Sequence, residues 1–183
     1  MHVLAVVIAA PLGAARRETR LVRGDLLDAG LVAALRCEER ARHPGPPRNR
    51  GLAEARGDAV AYLDHDDRWE PGHLSELARL LERAPLAATG AVPVDARDRP
   101  VGRPTGVLDA VWSAELQVLG PIFEPSRVGH RRGVAESAGG WPDGPAGLED
   151  WDLWLRLADA GHRFATSTHP TARAWPIGVA CTA

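Results

Sequence analysis

Short apolar runs alternate with stretches of helical period along most of this chain. Residues 3–10 form a first apolar run, and residues 18–23 a second short strand after a brief link. Residues 26–42 read as a helix, followed by a Pro-rich link at 44–47 and a short helix. The run Ala59-Val60-Ala61-Tyr62-Leu63, bounded by Gly57-Asp58, has the length and continuity of a buried strand. From 73 to 83 the apolar residues Leu74, Leu77, Ala78 and Leu81 recur at helical spacing, with Pro71 near the first turn and Pro85 beyond the end. Residues 87–93 predict another strand, and the Gly/Pro/Arg-rich segment 95–106 predicts a loop able to act as a mobile flap. Short strands are expected at 121–123 and 127–131, then a small helix over 132–138. In the last helix, which opens at Glu149 and stops at Gly161, Trp151, Trp154, Leu155 and Ala158 share one face, predicting the side that seats on the core. Alternating β and α units argue for an α/β fold with an open, mostly parallel (mixed) sheet flanked by helices. No repeat interrupts the pattern, so residues 1–183 are expected to form a single domain.

Two acidic clusters break this scaffold pattern. Asp64-His65-Asp66-Asp67 follows the strand at 59–63, which puts its carboxylates at a strand's carboxyl end, the ligand edge of open α/β sheets. Mg²⁺ and Mn²⁺ take oxygen ligands, commonly one or two protein carboxylates plus phosphate and water. Three carboxylates within four residues repel one another, and a bound cation relieves that repulsion. A solvated turn whose Asp caps the next helix is the alternative. The second cluster, Glu149-Asp150, opens the Trp-rich helix. The positive end of the helix dipole should keep Asp150 ionised at neutral pH and able to accept a proton, although both carboxylates could simply complement that dipole.

The stretch Arg48-Asn49-Arg50-Gly51, a strand, Asp64-His65-Asp66-Asp67 and then Pro71 resembles, in order, the inverting family 2 glycosyltransferases of the GT-A fold. A second block is similar to the same family's acceptor-side motif: Gly139-Gly140-Trp141-Pro142-Asp143, then Leu148-Glu149-Asp150-Trp151-Asp152 running on to Gly161. The resemblance covers residues 48–164. It implies a nucleoside-diphosphate sugar donor and an acceptor hydroxyl, with Asp66 and Asp64 holding Mg²⁺ or Mn²⁺. It makes Asp150 the catalytic base, and implies donor contacts from Arg48, Asp64, His65 and Asp67 and acceptor contacts from Trp141, Glu149 and Trp151. Arg50 is a further residue that could approach the diphosphate, whereas the helical position of Trp154 favours the core. Before residue 48 the likeness is poor. The family's Pro-Thr-x-Asn and Asp-Asp-Gly-Ser segments are missing, the first crossover helix looks deleted, and Asp25 falls where a base-contacting Asp belongs, although an Asp ahead of a helix also serves as an N-cap. No His occupies 175–177, where many members offer an extra metal ligand; His65, His73, His130 and His169 are read as solvated loop histidines.

Composition narrows the setting without changing this picture. With 45% apolar and 25% charged residues the 183-residue chain can bury a real core, and a net charge of -2 gives no reason to expect nucleic acid or an anionic membrane surface. All basic residues are Arg and none is Lys. Cys37 and Cys181 form no CxxC and suit a reducing compartment, the run 3–10 is too short to span a bilayer, and no basic residue precedes it as in a signal peptide. The expectation is a cytoplasmic domain without an integral membrane segment, acting alone, as a homo-oligomer or with a partner subunit. Three functions stay open: a metal-dependent inverting glycosyltransferase, a degenerate module of the same fold that binds a nucleotide sugar or a protein partner, and a sugar nucleotidyltransferase, against which the lack of an amino-terminal Gly-rich arginine/lysine signature counts.

Overall fold

The computed structural model describes residues 45–55, 57–64, 67–95, 97–106, 111–120, 122–143 and 148–174. The strands expected at 3–10 and 18–23, the helix at 26–42 and Asp25 lie outside these residues, as do His65 and Asp66. Helix α1 spans Gly45–Glu54, β1 Ala59–Ala61, β2 Arg68–Trp69, α2 His73–Leu81 and β3 Leu86–Pro93. After them come α3 at Ala114–Gln117, a 3-10 turn at Pro125–Arg127, β4 at Val128–Arg131, α4 at Val134–Ser137, α5 at Glu149–Asp159 and β5 at Phe164–Ala174.

The described strands form one mixed sheet in the order β1-β4-β3-β5-β2. β3 runs parallel to β5, while β1 with β4, β3 with β4, and β2 with β5 pair antiparallel. Strand alternation then divides the core in two. Ala59 and Ala61 of β1, with Ala87 and Ala91 of β3, face a cluster completed by Leu77, Leu80 and Leu81 of α2. Val60, with Leu86 and Ala88, joins Tyr62 and the opposite cluster of Leu52 from α1 and Leu153, Trp154 and Leu157 from α5. Helices thus cover both faces. The site-bearing helices α1 and α5 share one of them.

Several elements depart from the sequence expectation. The Pro-rich link at 44–47 is mostly the first turn of α1, which begins at Gly45; proline fits there because a first-turn N–H has no helical partner. Ile122 and Phe123 form no strand, and the segment at 127–131 is a 3-10 turn running into β4. The core face of α5 is Glu149, Leu153, Trp154 and Leu157, so Trp151, Leu155 and Ala158 lie only at its margins. Segment 95–106 is pinned rather than free: Val94 bridges Pro100, the Val101 and Thr105 amides donate to Pro93 and Ala91, and Asp98 pairs with Arg68 and Arg173.

β5 is the element the pattern conceals, because Pro170 stands near its middle and cannot donate to a ladder. Two register shifts in the β3 pairing flank Gly90, which lies opposite Pro170. A Cβ at Gly90 would fall 2.5 Å from the Thr168 carbonyl oxygen and 2.9 Å from the His169 carbonyl carbon. The missing side chain is what allows the irregular strand to close on β3. Gly90→Ala is therefore expected to destabilise the fold by about 1–3 kcal/mol, because rigid backbone must move to admit the methyl group. Gly120→Ala, where nothing among the described residues lies within 4 Å of the added carbon, is expected to be near neutral; chemical denaturation of the pair checks this, and equal midpoints would refute it.

Candidate active site

β1 ends in the core, and beyond it the Asp67 amide donates to the Asp64 carbonyl at 3.2 Å. The Asp64 amide is held by the Ser126 hydroxyl at 2.9 Å, and the Ser126 carbonyl accepts the Trp69 indole N–H at 2.7 Å. Ser126 carries no motif and could not be found from sequence. It belongs to the turn before β4, and its contact with the acidic turn comes from the sheet order alone.

Arg48 of α1 is buried beside Asp64 at 2% exposure. One guanidinium arm donates to Asp64 Oδ1 at 2.7 Å and the other to Glu149 Oε1 at 3.1 Å. The guanidinium carbon stands 4.3 Å from the centre of the Trp141 ring. Burial pulls the Arg48 pKa down, but Asp64 and Glu149 more than offset this and leave it above the ordinary value. The acidic turn and the first turn of α5 are thereby joined through one side chain.

Trp141, expected against an acceptor, is itself in the core at 2% exposure, with T-shaped contacts to Tyr62 and Trp154 at 4.9 and 5.6 Å between ring centres. Its ring backs the site instead of lining it. The turn that carries it is clasped from two sides. Asn49 accepts the Trp141 amide and donates to the Trp141 carbonyl, both at 2.8 Å, while Arg156 of α5 donates to the carbonyls of Ala138 and Gly140. Gly140 has φ 72, and a Cβ there would lie 2.7 Å from Asn49 Oδ1, so both backbone conformation and space call for glycine.

At the head of α5, Glu149 is buried against Arg48, and Asp150 is partly exposed with Oδ1 accepting the Trp151 amide at 2.7 Å. Trp151 is half-buried and donates its indole N–H to the Gln117 carbonyl of α3 at 2.5 Å. Asp150 behaves otherwise than a simple helix-start carboxylate. Burial raises its pKa to about 6; the Trp151 amide and the Arg48 charge oppose that shift, and Glu149 and Asp64 add to it. It remains mostly ionised at neutral pH, but its affinity for a proton is far above that of an ordinary Asp.

Two histidines read as solvated are buried. His73 stacks on Trp69 at 4.5 Å and shares a 2.8 Å hydrogen bond with the Thr171 hydroxyl, and burial lowers its pKa to about 3. His130 meets the Tyr62 hydroxyl at 2.6 Å and its own neighbour's carbonyl, that of Arg131, at 2.8 Å; burial lowers its pKa as well. Both sit where strand or helix alternation points inward, on positions that single letters do not reveal. His169 is exposed, as expected, but lies in β5 rather than in a loop.

The residues expected to hold a cation are only partly among the described ones. Among the described residues no group of three His, Cys, Asp or Glu side chains could hold a metal ion, and Asp66 and His65 lie outside them. The described carboxylates of the turn, Asp64 and Asp67, have the hard oxygen chemistry that Mg²⁺ or Mn²⁺ selects.

An open mixed sheet covered by helices, with an acidic turn beyond one strand and an acidic helix start beside it, defines a GT-A-like glycosyltransferase domain. The chain belongs to glycosyl transferase family 2, whose sequence model matches residues 29–137. It is 28% identical over 132 residues to the uncharacterized glycosyltransferase YwdF of Bacillus subtilis (strain 168), an alignment covering 69% of this chain and 48% of that protein. It is also 30% identical over 122 residues to the O-antigen biosynthesis protein RfbC of Myxococcus xanthus, covering 67% of this chain and 10% of the relative. The chain thus spans about half the length of one curated relative and a tenth of the other.

The raised Asp150 pKa has a consequence for stability. The folded protein binds this proton more tightly than the unfolded chain, so the associated stability is fully present below the unfolded value of 3.8 and is lost as pH rises through about 6. Asp150→Asn removes the charge whose burial is unfavourable. The variant is expected to be more stable than wild type at pH 8 by about 1–2 kcal/mol, a figure discounted for partial exposure, with no gain at pH 4. Thermal melts at the two pH values check this; a loss of stability at pH 8 would contradict it.

Proposed function

We propose that this domain is a metal-dependent, inverting glycosyltransferase that moves a sugar from a nucleoside-diphosphate sugar to an acceptor hydroxyl. The observation that carries this reading is the union of the two acidic clusters through Arg48, which sets Asp64 and Asp150 in one electrostatic unit. Asp150 takes the acceptor proton as the acceptor oxygen bonds to the anomeric carbon and the carbon–oxygen bond to the diphosphate breaks. Attack opposite the leaving group inverts the centre and needs one carboxylate base and no covalent glycosyl enzyme. A pKa near 6 suits that work, since the group is mostly unprotonated at neutral pH yet strong enough as a base to hold the proton.

Asp66, with Asp64 beside it, would hold Mg²⁺ or Mn²⁺. What the cation supplies when bound is neutralisation of charge on the departing diphosphate. Asp25, His65 and Asp67 are assigned to the donor side. Glu149 and Trp151 are assigned to the acceptor edge, Glu149 acting there through Arg48 and Trp151 through its partly exposed ring. No helix among the described residues is long and apolar enough to cross a membrane. The cytoplasmic setting and any oligomer or partner subunit belong to the same proposal.

Two measurements test it. UDP-, dTDP- and GDP-sugars are screened by thermal shift with and without Mn²⁺; a nucleotide at a hundredfold excess over its dissociation constant should stabilise the wild type by roughly 2.7 kcal/mol, only with the metal present, and Asp66→Asn should lose the effect. A shift of equal size without metal in both proteins would remove Asp66 from the metal site. No binding at millimolar concentration would favour the non-catalytic module. In the second, Asp150→Asn should lower turnover by about a hundredfold or more while nucleotide binding persists, because the amide keeps the shape but cannot take the proton. Parallel losses of binding and rate would instead mark Asp150 as a structural cap.

A further inference from the structure

Three carboxylates, Asp64, Glu149 and Asp150, surround a single buried guanidinium, and the pairing among them is unequal. Arg48 bonds Asp64 at 2.7 Å and Glu149 at 3.1 Å, and Asp150 makes no ion pair among the described residues. The guanidinium is not free to choose otherwise. Its face rests on the Trp141 ring, and that ring is wedged between Tyr62 and Trp154. The Trp141 backbone is held by Asn49, the next residue of the helix that carries Arg48. The Tyr62 hydroxyl is in turn anchored on His130 of β4. Both arms of the fork are committed to carboxylates, and among the described residues the buried Nε–H has no hydrogen-bond partner, so the guanidinium is turned toward Asp64 and Glu149.

We propose that Arg48 is a positioning residue that acts on the base rather than on the donor. Its two arms fix the acidic turn against the first turn of α5 and take up Asp64 and Glu149, leaving Asp150 as the carboxylate free to work. Lysine could not do the same, because an ammonium is a point charge and cannot present the flat two-armed fork that spans both partners. This inference deepens the glycosyltransferase reading and rests on it for its kinetic test alone.

The charged groups facing Asp150 are Glu149 on its own helix, Arg48 on α1 and Asp64 in the turn after β1. Removing them should move its protonation in opposite directions. In the full chain with EDTA present, carbon-13 carboxyl titration should show the Asp150 midpoint rising in Arg48→Met and falling in Glu149→Gln, each by roughly half a unit or more. Arg48→Lys should keep the midpoint near wild type. With Mn²⁺ and UDP-, dTDP- or GDP-sugars, the same Lys variant should lose about tenfold or more in kcat, as expected for lost alignment, with the donor KM little changed.

Midpoints that do not move, or that move the same way in Arg48→Met and Glu149→Gln, overturn the proposal. So does full activity in Arg48→Lys, or a loss confined to donor KM, which would return Arg48 to the donor site. Should Arg48→Met fail to fold, Glu149→Gln decides alone, a fixed or raised midpoint being the refuting result. A chain that shows the opposed shifts but releases no nucleoside diphosphate would refute the transferase reading and leave this one standing; turnover with fixed midpoints would do the reverse.

Discussion

The buried guanidinium of Arg48 is the constraint on which the rest of this site depends. Taking an arginine out of water is unfavourable unless its charge and its donors are met inside the protein. Here Asp64 and Glu149 meet the charge from two directions, and the Trp141 ring offers its negative face at 4.3 Å. Removing one partner of such a buried pair typically costs about 3–5 kcal/mol, because the other is left uncompensated. The interaction therefore does more than join two segments. It makes the end of β1, the amino-terminal half of α1 and the start of α5 one cooperative unit.

Around that unit, ordinary packing supplies rigidity. Tyr62 projects from the end of β1 toward α5, so the strand that delivers Asp64 also delivers the ring that braces Trp141. Asn49 and Arg156 hold the glycine turn before Trp141 from opposite helices. A site built on such supports is preorganised: its carboxylates stay close together despite their mutual repulsion, and that repulsion becomes a property of the site. Asp150 bears it. Burial and two neighbouring carboxylates raise its pKa, while the nearest cation is engaged elsewhere.

Much of this was legible in the sequence, and the reasons differ from residue to residue. β1, α2, β3 and α5 follow from apolar period bounded by Gly and Pro, a local signal that tertiary contacts did not overrule. The two acidic blocks stood out because charges at strand and helix ends are conspicuous. What stayed hidden depended on contacts distant in the chain. Ser126 reaches Asp64 across 62 positions, and Arg48 reaches Glu149 across 101. His73 and His130 look like solvated residues until the alternation of neighbouring elements turns them inward. The core face of α5 was misread by one step because tryptophan was weighted as core at both 151 and 154, whereas Trp151 is wide enough to sit at the margin and hold α3 through its indole N–H. β5 was missed because Pro170 argues against a strand, and only Gly90 on the neighbouring strand makes room for it.

The same reasoning explains why Glu149 and Asp150, adjacent in sequence and alike in chemistry, have different parts. Successive residues on a helix point about 100° apart, so Glu149 turns into the protein toward Arg48 while Asp150 turns toward the edge. A helix dipole acts on both and cannot tell them apart. The difference comes from where the Arg48 guanidinium lies, and it lies on the Glu149 side because α1 packs on the face shared with Leu153, Trp154 and Leu157. Function at this helix start is thus decided by the packing of another helix. Two adjacent carboxylates are resolved by burial and by the Arg48 ion pair into one residue that holds the structure and one that, among the described residues, makes no ion pair.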